Sequence, residues 1–400
     1  MNSSEKWFRL SLMFPPGSRN LWNLYKLWGE DLDRLYLEVT ENLNNFRSAL
    51  TPSEVSGIEN FSEDGFYKLC DKCQKDGIFT VCYDSEYYPE RLREISNPPA
   101  LLYGYGDSSV LNYENQLAVV GARKASDYSL KITEKLVNAI QSGVRTDIIS
   151  GFAKGTDITS HLAAVEHGAK TIAVLGCGLN IEYPAANQRY KKLIAENGCL
   201  ISKYPPETPP LSHYFPIRNR IISGMAKAVL VVEASEKSGS LITANLSCDY
   251  GRDVFVIPPS NLFSESYRGN VKLLRDGAIP VYGAFEILAE FLDFTDFRIQ
   301  NTEHRSQNTE IRGQKSEVRI AEPELLDDPE KRVEINAVIE ALSDTEKIVF
   351  DEIAGASDGI NADDIIANLD LDTLDVLDIL TDLEISGVIK KTINNTYLKC

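Results

Sequence analysis

The chain has 400 residues, of which 43% are hydrophobic and 25% are charged, and its formal net charge is −18. This length and balance are typical of a globular protein with two or three domains and a sizeable core. No apolar run approaches the roughly 18 to 20 residues that span a bilayer, and the N-terminal stretch lacks the features of a signal peptide, so we expect a cytoplasmic protein without a membrane partner.

The first part of the chain is predicted to be a helical module over residues 1–95. Apolar residues recur there at three- and four-residue spacing between Ser18 and Val39, which indicates amphipathic helices. Residues 87–107 then have the pattern of a turn, a short helix and an entry strand.

A CxxC pair lies within this module, at Cys70 and Cys73. The chain has seven scattered cysteines, and an odd number fits reduced thiols better than a disulfide framework. No second ligand pair follows nearby, so ordinary helix or core cysteines are the preferred interpretation, with a metal or redox role as the alternative. We expect no metal and no cofactor.

Residues 96–295 are predicted to form a doubly wound α/β domain, because short apolar runs alternate there with helical segments. In such sheets a ligand binds at the carboxyl ends of the strands. The predicted strands are LAVVG (117–121), DIISG (147–151), KTIAVLG (170–176), CLISKY (199–204), AKAVLVVEA (226–234), DVFVIPP (253–259) and AIPVY (278–282).

A linker is predicted over residues 296–332. It contains three copies of a seven-residue pattern, QNTEHRS, QNTEIRG and QKSEVRI, without an apolar seam. A solvated and disordered segment is therefore expected, rather than a coiled coil.

A small acidic domain is predicted over residues 333–400. Ser343 and Asn361 can cap two of its helices, and a hairpin would turn at Asn394-Asn395. Three helices and a hairpin are the order of a winged helix-turn-helix.

Negative charge is concentrated in this C-terminal region. Residues 321–400 hold 20 Asp and Glu against 6 Lys and Arg, a net charge of −14, which leaves −4 for the first 320 residues. The presumed recognition helix, 372–386, carries five carboxylates and no Lys or Arg. We therefore expect the terminal domain to contact protein rather than DNA, while the central domain can still carry a basic face.

Four loops that follow predicted strands are rich in Gly, Ser or Thr. They are 121–126, 150–157, 176–187 and 233–244. Backbone N–H groups at such positions bind phosphate oxygens, and Gly lets the chain approach a ligand closely. The basic residues beside them are Arg123, Lys154, Arg218 and Arg220. Neither a Walker A loop nor a complete dinucleotide fingerprint is present, so the set favours an anionic ligand without ATP hydrolysis or NAD chemistry.

Several of these polar residues have a structural interpretation beside the functional one. His161 is more readily a packed or capping partner than a base, and Glu233 is expected to bind loop N–H groups rather than act as an acid or base. For Asn219, the structural interpretation is that its side chain simply satisfies backbone groups. Because positions two apart on a helix diverge, one of Arg218 and Arg220 should meet the ligand and the other should be structural.

Six motifs in one order closely resemble the DNA-processing protein A family, also called Smf. They are GARKASDYS, SGFAKGTDITSH, TIAVLGCGLNIEYPAAN, FPIRNRIISG, EASEKSGSLITA and LLRDGA, after the similar entry segment YPERLREISNPPALLYGYG. The resemblance is strong over residues 85–290. It implies an extended Rossmann-like doubly wound sheet with an N-terminal helix-hairpin-helix or SAM-like module and a C-terminal winged-helix domain.

The resemblance also implies a function without catalytic turnover. Such a protein binds single-stranded DNA, protects incoming strands in natural transformation, helps to load the recombinase RecA, and is a homodimer through its Rossmann-like domain. Carried over by position, the DNA-binding residues are Gly121, Arg123, Ser150, Gly151, Lys154, Gly155, Phe215, Arg218, Asn219 and Arg220. Arg123 should be the strongest contact, and Phe215, Tyr214 and Tyr183 could stack on bases.

This sequence departs from the family pattern at some positions. Ala122 replaces a usual Ser, and Ser212 stands where some relatives carry a basic residue. An alternative function is that of a phosphoribohydrolase acting on nucleoside monophosphates, with Arg123 as clamp and Glu233 as acid or base. Such enzymes carry a PGGxGT-type loop, whose place is held here by SEKSGSLITA.

Overall fold

The computed structural model describes residues 1–291, 342–356, 359–369, 376, 379–380, 383, 388–391 and 396–399. Contacts divide the chain into two units, one within Met1–Thr309 and one within Glu310–Cys400. The predicted linker, most of the predicted recognition helix and the turn at Asn394-Asn395 lie outside the described residues. None of the helices in the described ranges is long and apolar enough to cross a membrane.

The first unit begins with five helices. They are α1 (Ser3–Met13), α2 (Asn20–Leu27), α3 (Leu32–Glu41), α4 (Pro52–Glu59) and α5 (Glu63–Lys75). Four of them begin at a side-chain N-cap that accepts a first-turn amide, namely Asn2, Asp31, Thr51 and Ser62. Trp7 and Trp22 stack in their core with ring centroids 5.4 Å apart. Cys73 is buried in the same core, and burial raises the pKa of its thiol to about 11, so the thiol is protonated.

A nine-stranded sheet follows. Its strands are β1 (Phe79–Cys82), β2 (Leu101–Gly106), β3 (Gln116–Val120), β4 (Asp147–Ser150), β5 (Thr171–Val174), β6 (Gly198–Ser202), β7 (Ala228–Val231), β8 (Asp253–Val256) and β9 (Ile279–Pro280). Their order across the sheet is β1-β2-β6-β5-β4-β3-β7-β8-β9. β1 and β2 pair with each other and β2 with β6 in antiparallel fashion, whereas all neighbours from β6 to β9 are parallel.

Helices cover both faces of this sheet. They are α6 (Glu90–Arg93), α7 (Asp127–Gly143), α8 (Thr156–Glu166), α9 (Lys191–Glu196), α10 (Tyr214–Met225), α11 (Gly239–Asp249), α12 (Arg268–Arg275) and α13 (Phe285–Phe291). One buried cluster joins Ile222 of α10 and Ala244 of α11 to the strands, and another joins Val137 of α7 and Ala163 of α8 to the opposite face. The prediction of an α/β, Rossmann-like doubly wound fold is confirmed.

The seven named strands and the predicted entry strand, which is β2, all form, and the structure adds β1, which lies in a stretch predicted to be helical. β1 is a four-residue edge strand directly after α5, too short to show an alternating pattern. A Cβ at Gly104 would lie 2.1 Å from the ring of Phe79, so glycine is required for this pairing.

The strand order reverses at β3, which has β4 on one side and β7 on the other. Because the connections after β3 and β7 leave in different directions, a crevice opens at the carboxyl ends of these strands. This is where the predicted ligand loops converge.

The second unit contains two helices and a three-stranded sheet among its described residues. These are α14 (Asp344–Gly355), β10 (Ile360–Asn361), α15 (Ala362–Leu369), β11 (Ile389–Lys391) and β12 (Thr396–Lys399), with the antiparallel order β10-β12-β11. Both predicted caps form, since Ser343 Oγ accepts from the Glu346 amide at 3.3 Å and Asn361 Oδ1 from the Asp364 amide at 2.8 Å. The winged-helix assignment stays a prediction.

Candidate functional site

The candidate site is an open cleft of about 600 Å³ at the carboxyl ends of β3, β4 and β7. The loops after these strands form its walls, and α10 lies along it. Five of the ten residues predicted from the sequence line this cleft, namely Gly121, Arg123, Phe215, Arg218 and Asn219. Lys154 and Gly155 lie in the loop after β4, which supplies Ala153 and Asp157 to the lining.

Arg123 is an exposed cation at this cleft, three residues after β3. Its guanidinium carbon lies 5.6 Å from the centroid of the Phe215 ring, which is a cation–π distance. Within the described ranges, no carboxylate forms an ion pair with Arg123 or with the exposed Lys154. Both charges are therefore available to an anion.

Phe215 gives the cleft a fixed aromatic ring. It is half-buried, and its centroid lies 5.5 Å from that of Tyr183, with the two rings tilted by 44°. A Cβ at Gly176 would lie 2.8 Å from the Phe215 ring, so glycine makes room for the ring there. Tyr214, by contrast, stacks on Tyr204 at 4.2 Å and does not line the cleft, which corrects the expectation that it offers a free face.

Arg218 is the structural arginine of the RNR sequence. It is buried, and its Nη1 donates to the carbonyls of Gly151, at 2.6 Å, and Val174. A Cβ at Gly151 would lie 2.4 Å from this Nη1. Arg218 thus joins the ends of β4 and β5 beneath the cleft, and burial lowers the pKa of its guanidinium below the ordinary value.

Ser150 and Gly151 are also buried beneath the cleft. Ser150 Oγ donates to the Val119 carbonyl at 2.6 Å, and the Gly151 amide donates to Asp157 Oδ2 at 3.1 Å. These polar groups are therefore occupied within the protein, and contact of the two residues with phosphates stays a prediction. Burial raises the pKa of Asp157, although the nearby Arg218 guanidinium acts in the opposite direction.

Two glycines let the walls of the cleft meet at their backbones. Gly155 has a φ of +74° and precedes α8, and a Cβ there would lie 2.3 Å from the Ala122 carbonyl oxygen. A Cβ at Gly121 would lie 2.4 Å from Thr156 Oγ1. This close approach fixes the loop that carries Arg123.

Arg220 and Asn219 follow Arg218 but differ in their positions. Arg220 Nε donates to the Tyr250 hydroxyl at 3.1 Å, and Arg220 lies outside the cleft lining, so its contact with DNA stays a prediction. Asn219 lines the cleft, accepts from Arg218 Nε at 3.2 Å and donates to the Gly239 carbonyl at 3.3 Å. Arg218, beneath the cleft, and Arg220, outside it, are two residues apart on α10 and point in different directions, as helical spacing predicts.

Sequence reasoning missed individual residues in the wall formed by the start of α11. They are Ser238, Gly239, Ser240, Ile242 and Thr243. Ser238 Oγ caps the helix by accepting from the Ser240 amide at 3.2 Å, and Ser240 Oγ donates to the Gly121 carbonyl at 2.9 Å. The Ser-Gly-Ser sequence at a helix start was the available signal, because serine is a favoured N-cap.

The candidate acid and base residues are both engaged inside the protein. His161 is fully buried with Nδ1 2.6 Å from Thr171 Oγ1, and burial lowers its pKa to about 3, so the ring is neutral at physiological pH. Glu233 is buried and accepts from the amide and hydroxyl of Ser126 at 2.8 and 2.7 Å. Although burial alone would raise the pKa of Glu233, hydrogen bonds hold it below its usual value. Neither residue lines the cleft.

Comparison with known proteins agrees with this architecture. The model of the family described as DNA recombination-mediator protein A matches residues 79–292, more than half of the chain. The chain belongs to this family. The match begins at β1, so the recombination-mediator family region includes the two antiparallel strands as well as the parallel ones.

Individual relatives show how far the similarity to other recombination-mediator family members extends. DNA processing protein DprA of Streptococcus pneumoniae is 38% identical over 262 residues, which cover 64% of this chain and 91% of that protein. Protein Smf of Escherichia coli is 40% identical over 206 residues, which cover 51% and 54%. The X-ray structure of DNA processing protein A from Streptococcus pneumoniae matches with a TM-score of 0.64 and 31% identity over 73% of this chain and 99% of that one. The resemblance inferred from the six motifs is confirmed.

Proposed function

We propose that this recombination-mediator family protein binds single-stranded DNA in the cleft. The observation that carries the proposal is the position of Arg123 5.6 Å from the fixed ring of Phe215 at the carboxyl ends of the parallel strands. Arg123 is exposed and has no ion pair with any carboxylate that the structure describes. A cation and an aromatic face at this spacing can engage the phosphate and the base of one nucleotide. Lys154 and the start of α11 would extend the phosphate path on either side.

A single strand suits this cleft better than a duplex. Bases in a duplex stack on one another, so the ring of Phe215 could reach a base face only in an unpaired strand. No base-specific pattern of donors and acceptors is required, because stacking and phosphate contacts are tolerant of sequence.

Competition binding tests this proposal. A labelled oligo-dT bound to the protein should be displaced by unlabelled oligo-dT at a concentration at least tenfold lower than by duplex of equal length. Equal displacement by duplex would contradict the proposal. Incubation with AMP should release no adenine, because Glu233 is buried and bonded to Ser126; release of adenine would favour the hydrolase instead.

We infer that the bound strand is handed to RecA, in the cytoplasm and during natural transformation. The description of the family as a recombination mediator supports this step. RecA added to oligo-dT already coated with a single-strand binding protein should assemble faster in the presence of this protein. An unchanged assembly rate would contradict this part of the proposal.

We also propose a homodimer through the Rossmann-like domain. Large apolar side chains that follow β8 and β9 are exposed, which is unusual for a surface without a partner. They are Leu262, Phe263, Tyr282 and Phe285. Light scattering should give twice the chain mass for the wild type and the monomer mass for Phe263→Glu.

The flanking regions complete the proposal. The N-terminal helices would form a helix-hairpin-helix or SAM-like module, and residues 333–400 a winged-helix domain that contacts protein. Removing residues 333–400 should leave duplex binding unchanged, since the acidic segment adds no affinity for phosphates. A loss of duplex binding on removal would contradict this assignment.

A further inference from the structure

A row of exposed side chains leads from the cleft onto α7. Arg123 lines the cleft, and the exposed Lys124 follows it directly. Two further lysines, Lys131 and Lys135, are exposed on α7 itself, and Tyr128 on the same helix is 45% exposed. We call Lys124, Tyr128, Lys131 and Lys135 the α7 row. They do not line the cleft, so their charges and their aromatic surface are additional to those of the cleft.

Helical geometry places the members of the row on one side of α7. At 3.6 residues per turn, Tyr128, Lys131 and Lys135 fall within about 60° of one another around the helix axis, and they extend over about 10 Å along it. The buried residues of α7 lie on the other side; they are Ser129, Thr133, Leu136, Val137 and Ile140. The α7 row therefore points away from the sheet and into solvent.

The charges of the row have no carboxylate partner. Among the described residues, no carboxylate forms an ion pair with Lys124, Lys131 or Lys135. The two acidic residues of α7, Asp127 and Glu134, lie about 40–60° further round the helix than Lys131. Lys131 and Lys135 are four positions apart, a spacing at which like charges destabilise a helix. A bound polyanion would relieve this repulsion.

The start of α7 is fixed beside the cleft. Ser126 Oγ caps the helix by accepting from the Ser129 amide at 3.3 Å, and it donates to Glu233 Oε2 at 2.7 Å. Glu233 follows β7, and Ser126 ends the loop that carries Arg123. The α7 row therefore begins at a fixed place next to Arg123, and a chain-like ligand that leaves the cleft on this side would meet it.

We propose that a single strand of DNA bound in the cleft continues along α7, with the ammonium groups of Lys131 and Lys135 on its phosphates and the ring of Tyr128 on a base. This inference rests on the proposed function and extends it beyond the cleft. Cations that flank an exposed aromatic ring are typical of sites that bind single strands without sequence preference. An acidic protein segment would match the charges but would give the Tyr128 ring no base to stack on.

The test compares two double variants of the full-length protein. Lys131→Met/Lys135→Met removes two charges from the α7 row, and Lys68→Met/Lys192→Met removes two charges from α5 and α9. Lys68 and Lys192 are 74% and 83% exposed, so the control sites are plain surface. Anisotropy is measured with the shortest oligo-dT that the wild type binds and with an oligo-dT long enough that affinity no longer rises with length. All variants should melt as the wild type does, because the substituted side chains are exposed.

The length of the strand separates the row from the cleft. On the long strand, the row variant should bind roughly tenfold more weakly than the control, and its log–log salt slope should be smaller by about 1.4, as two phosphate contacts are lost. On the short strand, the two variants should bind equally. Tyr128→Ala should weaken binding of the long strand by roughly tenfold, whereas Tyr128→Phe should bind as the wild type does, because a phenyl ring still stacks.

The other outcomes count against the proposal in different ways. Equal affinities of the two double variants for the long strand would overturn it and leave the proposed function intact. An equal loss on both lengths would also overturn it, because the lysines would then act on the cleft. Poly-glutamate binding that is lost only in the row variant, with oligo-dT binding unchanged, would assign the row to an acidic protein instead. If the wild type binds neither strand, the proposed function fails and this inference fails with it.

Discussion

Substitution of Arg123 by Ala separates binding from folding, because the side chain is exposed at the cleft. The side chain is exposed, its guanidinium carbon lies 5.6 Å from the Phe215 ring centroid, and its charge repels the nearby Arg218, so folding loses about 0.5–1 kcal/mol at most. A charged hydrogen bond to phosphate contributes about 1.5–3 kcal/mol, and about 1.4 kcal/mol is tenfold in affinity. Arg123→Ala should therefore weaken oligo-dT binding by roughly 10- to 150-fold.

Anisotropy with labelled oligo-dT measures this loss, and thermal unfolding measures the fold. The melting temperature should fall by no more than about 2–4 °C. The salt slope should shrink by about 0.7, as one phosphate contact is removed. Lys192→Met serves as the control for charge alone. An affinity for Arg123→Ala within twofold of the wild type would refute the assignment of Arg123 to the phosphate path.

Three further predictions concern the aromatic ring in the cleft, the buried arginine beneath it and the first residue of the central strand β4. Phe215→Ala should reduce oligo-dT affinity by about 1–3 kcal/mol but leave the affinity for an abasic strand nearly unchanged; an equal loss on both strands would exclude stacking. Arg218→Met should lower the free energy of unfolding by about 3 kcal/mol, because the carbonyls of Gly151 and Val174 lose their buried donor, and an unchanged melting temperature would contradict its structural role. Burial raises the pKa of Asp147 to about 6, and Arg145, whose Nε lies 3.6 Å away, opposes this shift. The free energy of unfolding of the wild type is therefore highest below pH 4, near the pKa of the unfolded chain, and it declines as the pH rises through 6. Asp147→Asn should therefore be more stable than the wild type by about 3 kcal/mol at pH 8 in urea unfolding, with the difference shrinking toward pH 4; a constant difference would contradict the pKa shift.

The parallel strands were predictable because buried strands in such a sheet are continuous apolar runs, and each run was followed by a helical pattern. β1 could not be predicted in this way, because a four-residue strand at a sheet edge is too short to show a periodic pattern. The four loops could be assigned to one edge from topology alone, as parallel strands present their carboxyl ends together.

The role of each residue in the cleft depends on the direction in which its side chain points, and the sequence does not specify that direction. Helical spacing predicted that Arg218 and Arg220 diverge, but not that Arg218 would lie buried beneath Gly151. Ser150 ends a strand and looks like a phosphate ligand, yet its hydroxyl is bonded to the neighbouring strand. Lys203 lay within the predicted strand 199–204, which gave no indication that its side chain lies beside a cavity.

Photocrosslinking of an oligo-dT that contains iododeoxyuridine tests the central claim most directly, because this base forms crosslinks with adjacent aromatic rings. The account predicts crosslinks at Phe215 and Tyr183, the half-buried rings that line the cleft. Those crosslinks should disappear in Arg123→Ala at concentrations that saturate the wild type. Crosslinks confined to residues outside the cleft would contradict the account.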